Sequence, residues 1–183
     1  MISKLLSNHT DGRESYQSIY NQFFPDSFCV RVKNILEIGV QFGVGLRAWA
    51  KTFPTATIYG CEQSSQPIPK DLLQNSRVRI FTDTDSAIPE HAKGFFDAIA
   101  NAKMDVIIDD GDHQESGQLS TLRNFWPHLS PDGIYVMEDT GQRNLTEPFV
   151  TEIQRICKDG IVSVGHAGVR HAGVVIITPR RPS

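Results

Sequence analysis

From residue 35 onward, short apolar runs of strand length alternate with amphipathic stretches of helical length, and this alternation leaves few architectures open. Strands that are apolar along their whole length need cover on both faces, and the stretches between them are long enough to be crossover helices. The pattern predicts repeated βαβ units and therefore an α/β fold with a doubly wound, mostly parallel sheet. Strands are expected at Ile35–Gly39, Thr57–Cys61, Val78–Phe81, Met104–Asp109 and Gly133–Met137, with helices near 46–51, 88–100, 113–128 and 147–158. Two later β-rich runs, Ile161–Val164 and Gly173–Ile177, are expected to form an antiparallel hairpin at one edge, bringing the sheet to seven strands.

At 183 residues the chain fits one domain. Residues 1–30 are expected to be an N-terminal helical or lid segment, and 31–183 a single domain. Tyr16, Tyr20, Phe23 and Phe24 fall at roughly helical spacing before Pro25, which suits packing under the sheet or a lid over a ligand. A net charge of −3 with no basic run gives no footprint for nucleic acid. Cys29, Cys61 and Cys157 are too widely spaced for a zinc motif and read as buried thiols of a reducing compartment. No apolar stretch is long enough for a membrane span, so a cytoplasmic location is expected.

Two of the strands end in acids. Asp109-Asp110-Gly111-Asp112-His113 follows one and Glu138-Asp139 follows the other. Ligands of open α/β sheets gather outside the carboxyl ends of the strands, so these groups should converge on one crevice. Converging carboxylates repel unless something positive lies between them, and a divalent cation with a preference for hard oxygen ligands is the expected occupant.

A second site is expected after the first strand, where Glu37-Ile38-Gly39-Val40-Gln41-Phe42-Gly43-Val44-Gly45 leads into a helix. Glycines at such a turn let a backbone approach a nucleoside. The spacing differs from G-x-G-x-x-G, since position 41 is Gln, and no Tyr-x-x-x-Lys pair is present, which disfavours a nicotinamide-dependent oxidoreductase. Glu62 ends the second strand, where an acid can accept hydrogen bonds from a ribose diol. Asp83 follows the third, where it can meet an adenine edge or cap the next helix.

With these residues the chain resembles the class I S-adenosylmethionine-dependent methyltransferases, which share a Rossmann-like fold. Within them it looks most like the metal-dependent sugar O-methyltransferases of the macrocin and mycinamicin type and their cephalosporin-hydroxylase-like relatives. The resemblance is carried by Ile35-Leu36-Glu37-Ile38-Gly39-Val40, Ile58-Tyr59-Gly60, Val106 to His113 and Tyr135-Val136-Met137-Glu138-Asp139, and it runs from about Tyr16 to just beyond Val136. It implies S-adenosylmethionine bound by Glu37, Gly39, Gly43, Glu62, Asp83 and Asp109, and Mg2+ or another hard divalent cation bound by Asp110, Glu138 and Asp139. It also implies His113 as the base that takes a proton from a hydroxylated acceptor, a glycoside by analogy, and it is compatible with a homo-oligomer. Two departures stand out. The related turn usually reads Gly-Gly-Ser where this chain has Gly43-Val44-Gly45, and Asp112 stands where Ser usually precedes the histidine. Asp112 is therefore expected to raise the His113 pKa.

Neighbouring strand residues point to opposite faces, so Glu138 and Asp139 can ligate together only if the strand ends irregularly. Asp109, the last residue of its strand, can face the sulfonium or bond to turn amides. Residues 140–144 and the turn at 166–171 are the candidates for the acceptor side. A protein that binds cofactor or metal without turnover is the remaining alternative.

Overall fold

The computed structural model describes residues 16–65, 67–140, 146–158, 160–166 and 173–179. In chain order the helices are α1 (Gln17–Phe23), α2 (Asp26–Cys29), α3 (Val44–Thr52), α4 (Lys70–Leu73), α5 (Pro89–Ala98), α6 (Glu115–Phe125) and α7 (Glu147–Ile156). The strands are β1 (Asn34–Ile38), β2 (Thr57–Cys61), β3 (Val78–Phe81), β4 (Met104–Asp109), β5 (Leu129–Met137), β6 (Gly160–His166) and β7 (Gly173–Pro179). They form one sheet in the order β3-β2-β1-β4-β5-β7-β6.

The first five strands are parallel neighbours, and their order reverses between β1 and β4, where an open sheet parts to leave a crevice. The expected hairpin is present with one topological refinement. The last strand, β7, inserts antiparallel between β5 and β6, so β6 becomes the sheet edge.

Alternation along the buried strands sorts side chains onto two faces. Ile35, Ile58, Val106, Ile108, Ile134 and Val136 face a layer that includes Leu46, Trp49, Phe53 and Leu72. Leu36, Tyr59, Ile107, Tyr135 and Met137 face Phe95, Phe96, Leu122, Phe125, Phe149 and Ile153. The expected aromatic set before Pro25 joins the first layer: Tyr16, Tyr20 and Phe24 are buried, and Phe23 packs against them. Tyr20 stacks on Phe24 at 5.4 Å between ring centroids and meets Trp49 edge-on at 5.6 Å. Burying an aromatic of this size contributes about 1.5–3 kcal/mol, enough to fix α1 on the sheet. Among the described residues, no helix is long and apolar enough to cross a membrane.

Candidate active site

The acidic strand ends are brought together by backbone register. Asp109 lies opposite Met137 in the β4–β5 ladder, so Asp110 and Glu138 leave the sheet side by side. The stitching continues past the strands: Asp110 N donates to Ile38 O at 3.0 Å, and Glu138 N donates to Asp109 O at 2.8 Å.

Strand β5 ends at Met137 and the chain then leaves it irregularly. Asp139 has φ +49°, in the left-handed region, which costs a non-glycine residue about 1–3 kcal/mol unless its surroundings hold it there. Tyr16 supplies part of that hold. Its hydroxyl donates to Asp139 Oδ1 and accepts from Asp139 N at 3.3 Å. Burial and the neighbouring carboxylates push the Tyr16 phenol far above its ordinary pKa, so it stays a donor.

The turn brings three groups together. The ligand atoms of Asp110, His113 and Asp139 all lie within 4.8 Å of one another. His113 Nε2 is 3.4 Å from Asp110 Oδ1, and Nδ1 is 3.7 Å from Asp139 Oδ2. The imidazole is 42% exposed, so the cluster opens to solvent. Glu138 lies outside this group. Its side chain is 2% exposed and accepts from the Tyr20 hydroxyl, while its main-chain carbonyl accepts from Gln118 Nε2 at 2.8 Å.

The His113 pKa is pushed up to about 9, first by its hydrogen bond to Asp110 and further by the charges of Asp110 and Asp139, against the opposing effect of partial burial. The rise expected from Asp112 is present but has other sources. Asp112 turns away to accept from Gln114 N at 3.0 Å, ahead of α6.

Asp109 takes the hydrogen-bonded role. At 1% exposure it accepts from the Tyr135 hydroxyl at 3.0 Å and from Gly111 N at 3.4 Å. Burial raises its pKa to about 7 in spite of those two bonds.

At the glycine turn, Gly39 has φ +86°, and a Cβ there would sit 2.1 Å from the Asp110 carbonyl oxygen. Gly43 has φ +70°, with a Cβ position 2.1 Å from Leu72 Cδ1. Gly39 is thus required by backbone packing, and Gly43 by its left-handed backbone. Glu37 is fully buried and accepts from Trp49 Nε1 at 3.0 Å.

Glu62 closes the same turn from below. Its Oε2 accepts from Val40 N and Gln41 N, each at 3.0 Å, and its Oε1 from Ser64 N at 3.0 Å and Ser64 Oγ at 2.8 Å. Burial alone would raise its pKa, but the amide and hydroxyl donors outweigh it and hold the carboxyl below its usual value. Asp83 is exposed, with φ +54°, and accepts from the Ser65 hydroxyl. Asp83 does not cap α5, whose N-cap residue is Ile88 with no side-chain cap; in the turn before it Asp85 Oδ1 accepts from Ala87 N at 2.9 Å. Of the acceptor-side candidates, 141–144 and 167–171 lie outside the described residues.

A model of the family described as "Methyltransferase domain" matches residues 36–140. The chain belongs to this methyltransferase family. It is 29% identical over 136 residues to 8-demethyl-8-alpha-L-rhamnosyl tetracenomycin-C 2'-O-methyltransferase of Streptomyces olivaceus, covering 70% of this chain and 34% of that protein. It is 31% identical over 129 residues to mycinamicin VI 2''-O-methyltransferase of Micromonospora griseorubida, covering 66% of this chain and 30% of that protein. The chain thus spans about a third of the length of these curated relatives.

Among solved structures it is similar to the MycE methyltransferase from the mycinamycin biosynthetic pathway, in complex with Mg and SAH. The TM-score is 0.73 at 22% identity, over 98% of this chain and 55% of that one. A second MycE structure, with Mg, SAH and mycinamycin VI, gives a TM-score of 0.73 at 23% identity, over 98% of this chain and 54% of that one. This likeness shows the fold, which is that of the methyltransferase family.

The family match contains every candidate site residue, from Glu37 to Asp139, but not Tyr16 or Tyr20. The sequence reading of these tyrosines, as core packing or a lid, used their rings and missed their hydroxyls. The usable signal was two phenols one helical turn apart, since a buried Tyr hydroxyl normally finds a polar partner.

Proposed function

We propose that this methyltransferase-family chain is an S-adenosylmethionine-dependent, divalent-cation-dependent O-methyltransferase acting on a hydroxyl of a sugar or glycosylated small molecule. The observation that carries this reading is the convergence of Asp110, His113 and Asp139 at the carboxyl edge of the sheet, inside the segment that matches the family. The names of the similar enzymes, sugar O-methyltransferases of tetracenomycin and mycinamicin, support the reaction class.

The residues fit the cation. Asp110 and Asp139 would offer it carboxylate oxygens, the hard donors that magnesium prefers, from a cluster whose ligand atoms lie within 4.8 Å of one another. Until a cation binds, the imidazolium of His113 balances the two carboxylates. Glu138, one residue from Asp139 and bonded to Tyr20, is the remaining acid assigned to this centre. The glycine turn fits a nucleoside in a narrower sense: the Glu62 carboxyl is held ionised, the state in which it accepts from a diol. Its four donors are already in place, so a ribose would have to displace Ser64 from Oε1.

When bound, the cation lowers the pKa of a coordinated hydroxyl and the sulfonium nucleoside supplies an activated methyl group. Asp110 and Asp139 fix where the acceptor oxygen stands, and orientation of this kind is a large part of catalysis for an in-line displacement. His113 takes the hydroxyl proton. With Nε2–H turned to Asp110, Nδ1 is the nitrogen that receives it, and the exposed side of the ring returns it to water. A cation held by Asp110 and Asp139 would offset the carboxylate charges that raise the His113 pKa, and so would favour the neutral imidazole that can act as base.

The test is transfer of labelled methyl from S-adenosylmethionine to a panel of glycosides, with chelator-treated and magnesium-supplemented protein side by side. Magnesium-dependent transfer is the expected result, and equal rates in both samples would remove the cation from the mechanism.

A further inference from the structure

We propose that Tyr16 and Tyr20 are positioning residues for the acids after β5, holding Asp139 and Glu138 in the arrangement that creates the cation site. This inference rests on the metal-dependent reading above and deepens it. Two adjacent residues on an extended strand send their side chains to opposite faces. Two residues four apart on a helix present theirs on one face, one turn apart. Glu138 and Asp139 lie just past β5, and the left-handed backbone at Asp139 breaks the strand alternation so that both acids meet one helix face: Tyr20, within α1, bonds Glu138, and Tyr16, at the start of that helix, bonds Asp139.

The two contacts differ in kind. Tyr20 is fully buried, its ring held by Phe24 and Trp49, so its hydroxyl is a fixed point to which the Glu138 carboxyl is tied. Tyr16 grips Asp139 twice, at the main-chain amide and at Oδ1, across a residue whose backbone is left-handed. With Oδ1 engaged, Oδ2 is the oxygen that faces His113 and the cluster. The phenol therefore sets both the backbone turn and the choice of ligating oxygen. Neither tyrosine is among the three clustered residues, so each acts through the acid it holds.

The experiment uses Mn2+ as the probe. Its free ion is counted by electron paramagnetic resonance in titrations of the full chain, the Tyr16→Phe variant and the Tyr20→Phe variant, with no cofactor or acceptor present. Each substitution removes one hydroxyl and keeps the ring that packs the core. Loss of an outer partner of a metal ligand typically weakens binding about 10- to 100-fold, and that rise in Kd is expected for Tyr16→Phe. Its Tm in chelator should move by no more than about 5 °C, whereas a purely structural hydroxyl would shift Tm and leave Kd alone. Tyr20→Phe carries the same test independently and keeps it decisive if the other variant fails to fold. Unchanged Mn2+ affinity in the folded variants overturns the inference and leaves the metal-dependent reading standing. Absence of Mn2+ binding by the unsubstituted chain overturns both.

Discussion

The turn after β2 and the turn after β5 lie at the same edge of one sheet and both carry acids, yet their charges are completed by different kinds of group. Glu62 has four donors, two of them amides of the glycine turn and two from Ser64, and its pKa falls below the usual value. Asp110 and Asp139 face each other across an imidazole that is itself partly exposed and can give up its proton. Amide donors are fixed by the covalent chain, whereas a proton on His113 can be exchanged for another cation. One turn thus has its charge met by donors of the chain itself, and the other has its charges met by a group that can lose its proton.

The sharpest way to break this contrast is Asp110→Ala. Lewis-acid stabilisation is worth several kcal/mol, so cation-stimulated methyl transfer should fall by about 10³-fold or more while the melting temperature stays near that of the parent. A variant that still responds to magnesium would place the working charge elsewhere. Glu62→Gln should do the reverse. The amide keeps the shape, but its NH2 faces donors, so urea unfolding should show a loss of about 1–3 kcal/mol with Mn2+ affinity unchanged. A drop in cation affinity instead would mean that the two turns do not act separately.

The smallest effect is on the pH dependence of stability in chelator. His113 has its folded pKa raised from 6.5 to about 9, so its contribution is complete below about 6.5 and is lost as pH rises through about 9. Glu62 has its folded pKa lowered, so its contribution is present above the ordinary Glu value and is lost as pH falls through the folded one. Melting temperatures between pH 3 and pH 10 should fall at both ends, and saturating magnesium should flatten the alkaline limb alone. An alkaline limb indifferent to magnesium would show that the cation does not replace the imidazolium.

The strand ladder was legible in the sequence because each core strand is an apolar run bounded by acids, Gly or Pro. Thr57–Cys61, Val78–Phe81 and Met104–Asp109 have the bounds that the pattern predicts. Strand β5 begins earlier than expected, at Leu129, because Pro131 and Asp132 look like loop residues and only the pairing of Leu129 with Met104 extends the strand. That the acids after β4 and β5 meet was legible too, since it follows from strand order and short spacing, but of the expected acids only Asp110 and Asp139 join His113, whereas Glu138 turns to Tyr20. The tyrosine contacts were not, because Tyr16 and Asp139 are 123 residues apart and no local pattern links them. Nor does sequence state that Asp139 turns left-handed, a conformation that depends on its tertiary surroundings. For Asp109 and Asp110, adjacent acids at a strand end, only the position of Tyr135 on the next strand decides which one is buried.

Gly39 links the two turns in a way that bears on how this protein can change. The space a side chain would need at that position is occupied by the carbonyl of Asp110, 2.1 Å from where a first carbon would go, and that oxygen belongs to backbone, which cannot swing aside as a side chain can. Sequence drift at position 39 is therefore closed off from both directions: any larger residue must push the loop that bears Asp110 and His113 or unwind the turn that Glu62 secures. A saturation library at this codon, sorted only for folded protein, should return glycine almost exclusively.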